Sequence, residues 1–133
     1  MIGFRPAVSV AISFVDCINR RDLTGLASLM SDDHRLEVFD EPPLAGKQAN
    51  VEAWGGYFAS FPRYVIYPSR VAERNNSVAI LGHTTGSHLG LPDDEERRLT
   101  LIWIVETADS SVTCWKLIED NPANRKVWGL DAV

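Results

Sequence analysis

Val8, Ala11, Ile12, Val15 and Ile18 recur at steps of three and four, with Phe14 on the same broad face, so the pattern predicts a helix over residues 6–20 opened by Pro6. Asp22 suits the cap of a second helix whose apolar stripe is Leu23, Leu26, Ala27 and Met30, ended by Ser31, Asp32 and Asp33. Residues 35–39 alternate as a strand until Pro42 and Pro43 remove two donors. A third helix is expected over residues 48–60, where Val51, Trp54, Phe58 and Phe61 share one face and Pro62 stops the run. Gly55 and Gly56 inside it cost roughly 1 kcal/mol each against alanine, which points to close backbone packing as compensation.

From Tyr64 onward the period changes to two. Residues 65–73 and 78–87 form a hairpin about Asn75 and Asn76, and residues 98–107 and 112–119 a second about Asp109 to Ser111. Between them lies a polar loop, residues 92–96. Asn121 and Pro122 open a short terminal helix or turn, and Trp128 and Leu130 are placed to pin the tail to the body. Helices followed by antiparallel strands give an α+β class: three helices from the N-terminal half packed on a strongly curved, mainly antiparallel sheet, a cone-shaped half barrel with an internal cavity. Cavities of that kind take small ligands.

The 133 residues suit one domain over the whole chain. A net charge of -5, from 18 acidic against 13 basic residues, opposes binding to a phosphate backbone, so no nucleic-acid partner is expected. No apolar run reaches the roughly 20 residues of a membrane span, and residues 1–5 lack the features of a secretory signal. A cytoplasmic protein with no membrane partner is the expectation. Cys17 and Cys114 are far apart, with neither a disulfide framework nor a zinc spacing, and read as buried thiols. His83 and His88, five apart on an expected strand, face opposite ways, so no metal is expected. Residues 86–90, GSHLG, superficially resemble a nucleophile elbow, but the order is not GxSxG, and no phosphate-binding loop or other cofactor motif is present.

Several stretches resemble the nuclear transport factor 2-like superfamily, in its branch of SnoaL-like polyketide cyclase and ketosteroid isomerase-like proteins. These are Asn19-Arg20-Arg21-Asp22-Leu23 with Leu26 and Met30, Ser31-Asp32-Asp33 before the first strand, and Gly46 with Val51 and Trp54. Val78-Ala79-Ile80, Thr85-Gly86-Ser87-His88 and Trp115 to Asp120 match in kind. The resemblance covers nearly the whole chain and implies the fold more than an activity. Isomerases of that family use a strand carboxylate, a helix-one tyrosine and a second strand acid. The resemblance puts those positions at Val38, Phe14 and Leu101, none of which can perform the step, so steroid enolisation by that constellation is not expected.

The resemblance also sets a register in which His34, Leu36 and Val38, Ile80, Gly82 and Thr84, Leu101, Trp103 and Val105, and Trp115, Leu117 and Glu119 face the cavity. Glu119 is then the acid or base, with His34 or Asp40 as partner and Tyr57 donating to an oxyanion; the structural alternative pairs Glu119 with Arg125 or Arg5 at the rim. Phe14, Val38, Trp54, Phe58, Ile80, Leu101, Trp103 and Trp115 are the expected ligand contacts. The reading is a binder of a small hydrophobic molecule with cofactor-free proton transfer (cyclisation, isomerisation or dehydration), or else a non-catalytic module with a packed interior. Ile102, Ile104 and Ile118, with Cys114, occupy the opposite sheet face and suggest a homodimer through it.

Overall fold

The computed structural model of the protein describes residues 6–131. Helix α1 (Ala7–Arg20) buries Val10, Ala11, Phe14, Val15 and Ile18, and Arg21 ends it in the left-handed conformation. Helix α2 (Leu23–Leu29) is capped by Asp22, whose carboxylate accepts from the Gly25 amide at 2.9 Å. The chain passes straight into strand β1 (Met30–Val38), so the strand begins five residues before the expected start and the acidic run at 31–33 lies within it. Pairing across to β6 (Ser111–Glu119), with a register shift between Met30 and Arg35, takes up that polar stretch. A two-residue strand β2 (Leu44–Ala45) precedes helix α3 (Lys47–Ser60).

The remaining strands are β3 (Val65–Arg74), β4 (Ser77–Thr85) and β5 (Leu101–Ala108), in a six-stranded open sheet of order β2-β1-β6-β5-β4-β3. Only the β1 and β6 pair is parallel; the sheet is mixed, with both expected hairpins present. Residues 93–96, expected as loop, form the short helix α4 (Asp93–Glu96), and α5 (Pro122–Val127) is capped by Asn121. Among the described residues the architecture is five helices on this sheet, an α+β arrangement as read from the pattern.

One core lies between the helices and the inner sheet face, where Phe14, Ile18, Leu26, Ile80, Val105, Trp103 and Trp115 meet. The close approach expected behind the paired glycines of α3 holds only for Gly55, whose added Cβ would meet Leu23 at 3.4 Å; Gly56 faces open space. At Gly82 the demand is stronger, because a Cβ would overlap the Tyr67 carbonyl oxygen of the neighbouring strand, beside a bulge between Pro68 and Arg70.

The outer face carries packing of its own. Ile102 and Ile104 are fully buried beneath Leu130 and Trp128, which pack with Ala79, Leu81 and Ile118 into a second apolar cluster. Arg125 holds Asp120 at 2.6 and 2.8 Å, and Arg70 donates to the Leu130 carbonyl at 2.9 Å, fastening this segment. The chain's own C-terminal segment thus packs on Ile102, Ile104 and Ile118.

Candidate functional site

The inner sheet face is not filled to its end. A cavity of about 220 Å³ is lined by Leu36, Val38, Ala53, Trp54, Tyr57, Tyr64, His88, Trp103, Trp115 and Leu117. Alternation explains the strand contribution: Leu36 pairs with Trp115, Val38 with Leu117, and Leu117 with Trp103, so residues two apart stack on the same face. Steps of three and four along α3 bring Ala53, Trp54 and Tyr57 over them. The Phe14 ring lies 5.0 Å from Trp115 and 5.7 Å from His34, closing the packing behind the cavity.

The polar part of the wall comes from Tyr57, Tyr64 and His88, and Trp54, also in the lining, has a buried Nε1–H without a hydrogen-bond partner among the described residues. The Tyr57 hydroxyl lies 2.8 Å from Nδ1 of His88 and accepts from the His88 backbone amide at 3.2 Å. Tyr64 crosses Tyr57 edge-on, with ring centroids 4.9 Å apart. Its hydroxyl has no hydrogen-bond partner among the described residues. Desolvation pushes the Tyr57 hydroxyl above the usual phenol range, against the lowering effect of the His88 amide. It pushes Tyr64 further in the same direction, with Tyr57 and Glu96 adding to the effect. Both phenols stay protonated and act as donors.

The helix pair fixes where Tyr64 sits. Asn19 donates to the Ile66 carbonyl at 3.0 Å and accepts from the Ile66 amide at 2.9 Å, while Arg21 donates to the carbonyls of Pro62 and Tyr64. The Asn19 to Asp22 motif thus holds the backbone on either side of Tyr64, a structural service with a consequence for the site. His88 is placed by the turn after β4, where Gly86 takes a φ of 70° and a Cβ would overlap the Arg63 carbonyl oxygen.

Apart from His34, the expected site residues separate into three groups. Tyr57, Val38, Trp54, Trp103 and Trp115 line the cavity, together with Leu36 and Leu117 from the same register. Phe14, Phe58, Ile80 and Leu101 belong to the surrounding core and do not line it. Glu119, opposite Leu101, is exposed and outside the lining, and Asp40 is exposed in the turn after β1, so neither carboxylate meets the cavity. Glu119 forms no ion pair with Arg125, which binds Asp120 instead; Arg5 lies outside the described residues.

His34 is fully buried. Its Nδ1 lies 2.7 Å from the Val112 carbonyl, which only accepts, so Nδ1 carries the proton and Nε2 is left without a partner. Burial lowers its pKa and keeps the ring neutral, but it is not part of the lining and does not meet Glu119. Tyr64, His88 and Ala53 also line the cavity, and periodicity alone does not single them out. The pattern puts His88 on a strand, on the face opposite His83, whereas β4 ends at Thr85 and the ring belongs to a turn. The glycine and serine before it are the signal that marks this turn.

Cys17 and Cys114 are free and buried, and burial pushes the Cys114 thiol up to about 12. Among the described residues no group of three His, Cys, Asp or Glu side chains is arranged to hold a metal ion, and no helix is long and apolar enough to cross a membrane.

The profile of the SnoaL-like domain matches residues 11–115. No curated protein matches the chain. Among solved structures, an uncharacterised cystatin-fold protein from Novosphingobium aromaticivorans superposes with a TM-score of 0.75 at 16% identity, over 86% of this chain and 99% of its own. A provisionally named SnoaL-like polyketide cyclase from Jannaschia sp. CCS1 gives 0.69 at 15%, over 96% and 93%. IdmH of Streptomyces antibioticus, also provisionally named a polyketide cyclase, gives 0.68 at 18%, over 88% and 94%. At these identities the likeness is one of fold.

Proposed function

We propose, since the chain belongs to the SnoaL-like domain family, that it holds a compact apolar molecule of one or two rings with an oxygen against Tyr57, Tyr64 and His88. The observation that carries this reading is the Tyr64 hydroxyl, unpartnered among the described residues, on the wall of a mainly apolar cavity. A protonated phenol in apolar surroundings calls for an acceptor, such as a carbonyl or enol oxygen. Size limits the class further. At about 220 Å³ the space lies below the roughly 300 Å³ at which ligand pockets usually begin, so a larger polycycle would leave part of itself outside.

The proton-transfer half of the reading, an isomerisation, cyclisation or dehydration without cofactor, falls to Tyr57 and His88. Their hydrogen bond links a hydroxyl at the cavity to an imidazole, the side chain suited to exchange protons near neutrality. A purely binding role is favoured by one specific fact: no carboxylate is among the lining residues. A cytoplasmic setting is part of the proposal, and two free buried thiols suit a reducing compartment.

Titration with 2-naphthol and with naphthalene, followed by fluorescence of Trp54, Trp103 and Trp115, tests the binding half. One hydrogen bond makes 2-naphthol tighter by about threefold to tenfold, and Tyr64→Phe closes that gap. Equal affinities in the unaltered protein, or a gap that survives in Tyr64→Phe, overturns the reading.

A further inference from the structure

Four consecutive acids form α4, and three of them, Asp93, Asp94 and Glu95, keep contact with solvent. Glu96 does not. It is 1% exposed, and among the described residues no cation pairs with it. A buried carboxylate without a cation is rare, because loss of hydration opposes its charge unless hydrogen bonds replace the lost water. Here the replacements are the Thr84 hydroxyl, which donates to one carboxylate oxygen, and the Ser87 amide, 3.4 Å from the other.

Those two partners bracket the turn that carries His88. Thr84 stands at the end of β4, Gly86 is locked against the Arg63 carbonyl, and Ser87 accepts from the Leu89 amide at 3.2 Å. On the far side of the same turn, the His88 amide and Nδ1 both engage the Tyr57 hydroxyl. Arg63 reaches Asp93 at 3.2 Å and ties α4 to the segment just before Tyr64. The carboxylate is thus the inner fastening of a turn whose outer fastening is a cavity residue.

We propose that Glu96 is a positioning residue of the candidate site: its buried carboxylate fixes the turn from Thr84 to His88 and thereby the hydrogen bond between His88 and Tyr57. The Tyr57 hydroxyl, already accepting the His88 amide, gives its own proton to Nδ1, so His88 carries its ring proton on Nε2. The charge of Glu96 acts in the same sense, since it disfavours ionisation of both Tyr57 and Tyr64 and keeps them as donors. The titratable groups facing the Tyr57 and His88 pair are Glu96 from α4 and Tyr64 from the segment before β3. The ligand consequence rests on the binding reading above; the positioning role does not.

The imidazole nitrogen NMR spectrum of His88, without ligand, reads the positioning directly. In the unaltered protein above neutral pH one tautomer is expected, protonated on Nε2. Glu96→Ala should give exchange between tautomers and weaken 2-naphthol by about threefold to tenfold, the worth of one hydrogen bond. Glu96→Gln, which keeps an acceptor for the Ser87 amide and turns an amide donor toward the Thr84 hydroxyl oxygen, should restore the tautomer while Tyr57 and Tyr64 ionise at lower pH. A single tautomer in Glu96→Ala overturns the proposal. If that variant does not fold, Thr84→Val reads the same signal: tautomer exchange supports the role, and an unaltered spectrum overturns it. Failure of the unaltered protein to bind 2-naphthol, with the tautomer responses intact, counts against the binding reading alone.

Discussion

Tyr57 and His88 are joined twice: the tyrosine hydroxyl lies 2.8 Å from Nδ1 of the imidazole and 3.2 Å from the same residue's backbone nitrogen. A helix residue and a turn residue 31 positions apart therefore share one oxygen at the wall of the cavity. That shared oxygen and the Tyr64 hydroxyl stand at the polar end of the cavity.

Tyr57→Phe keeps the ring contacts with Trp54, Phe61 and Tyr64 and removes both bonds to His88. The His88 amide is left without its acceptor. Thermal unfolding should show a loss of about 1–2 kcal/mol, and His88 should lose its single tautomer. An unchanged melting temperature with an unchanged imidazole spectrum would show that the two hydrogen bonds do not form in solution.

Burial lowers the pKa of His34, with its bond to Val112 acting in opposition. Because the unfolded chain binds the proton more readily than the folded one, stability rises with pH across the interval between the lowered value and the ordinary 6.5. Acidification through 6.5 should therefore weaken folding, at no more than about 1.4 kcal/mol per pH unit for a single proton, until the folded-state value is passed. Glu37, held down chiefly by Arg35, and Asp120, held down chiefly by Arg125, lose their contributions only in more acidic solution. Denaturation of His34→Gln between pH 7 and 5 should lack the first slope; an equal slope in both proteins would clear His34 of it.

Leu130 is 2% exposed over Ile102 and Ile104. Leu130→Ala should cost about 2–4 kcal/mol in chemical denaturation. By uncovering the outer face, it should also produce concentration-dependent association in sedimentation velocity, where the unaltered chain sediments independently of concentration. Association of the unaltered chain would show that another surface joins subunits.

At Gly82 the crowding against Tyr67 leaves no room for a methyl group. Gly82→Ala should lower stability by about 1–3 kcal/mol, the usual range for overpacking, while Gly56→Ala on the open face of α3 should raise it slightly. Melting temperatures of the two variants moving in the same direction would contradict the difference in their surroundings.

Periodicity made the helices and the two hairpins legible, because amphipathic spacing over ten or more residues outweighs local ambiguity. The Asp22 cap, the stop at Pro62 and the inward alternation of Leu36, Val38, Trp103, Trp115 and Leu117 follow from the same spacing. Local pattern failed where long-range pairing decides. Ser31, Asp32 and Asp33 look like a helix end, yet β6 pairs with Met30 before them and with Arg35 after them, which leaves them as an irregular stretch within β1. Glu119 holds the right register and still misses the cavity, since alternation fixes a face and not the depth at which enclosure ends. Tyr64 and His88 lie in connections, whose direction is set by the Asn19, Arg21 and Glu96 side chains reaching across the fold. Glu96 reads as one more acid of a solvated run, and only α4 packed on β4 turns it inward.

A crystal structure of the protein soaked with 2-naphthol tests the central claim most directly. The expected result is a ring system among Trp54, Trp103 and Trp115, with its oxygen within about 3.2 Å of the Tyr64 hydroxyl. A naphthol bound only on the outer surface, or a Tyr64 hydroxyl bonded to another protein group with the cavity closed, would contradict it.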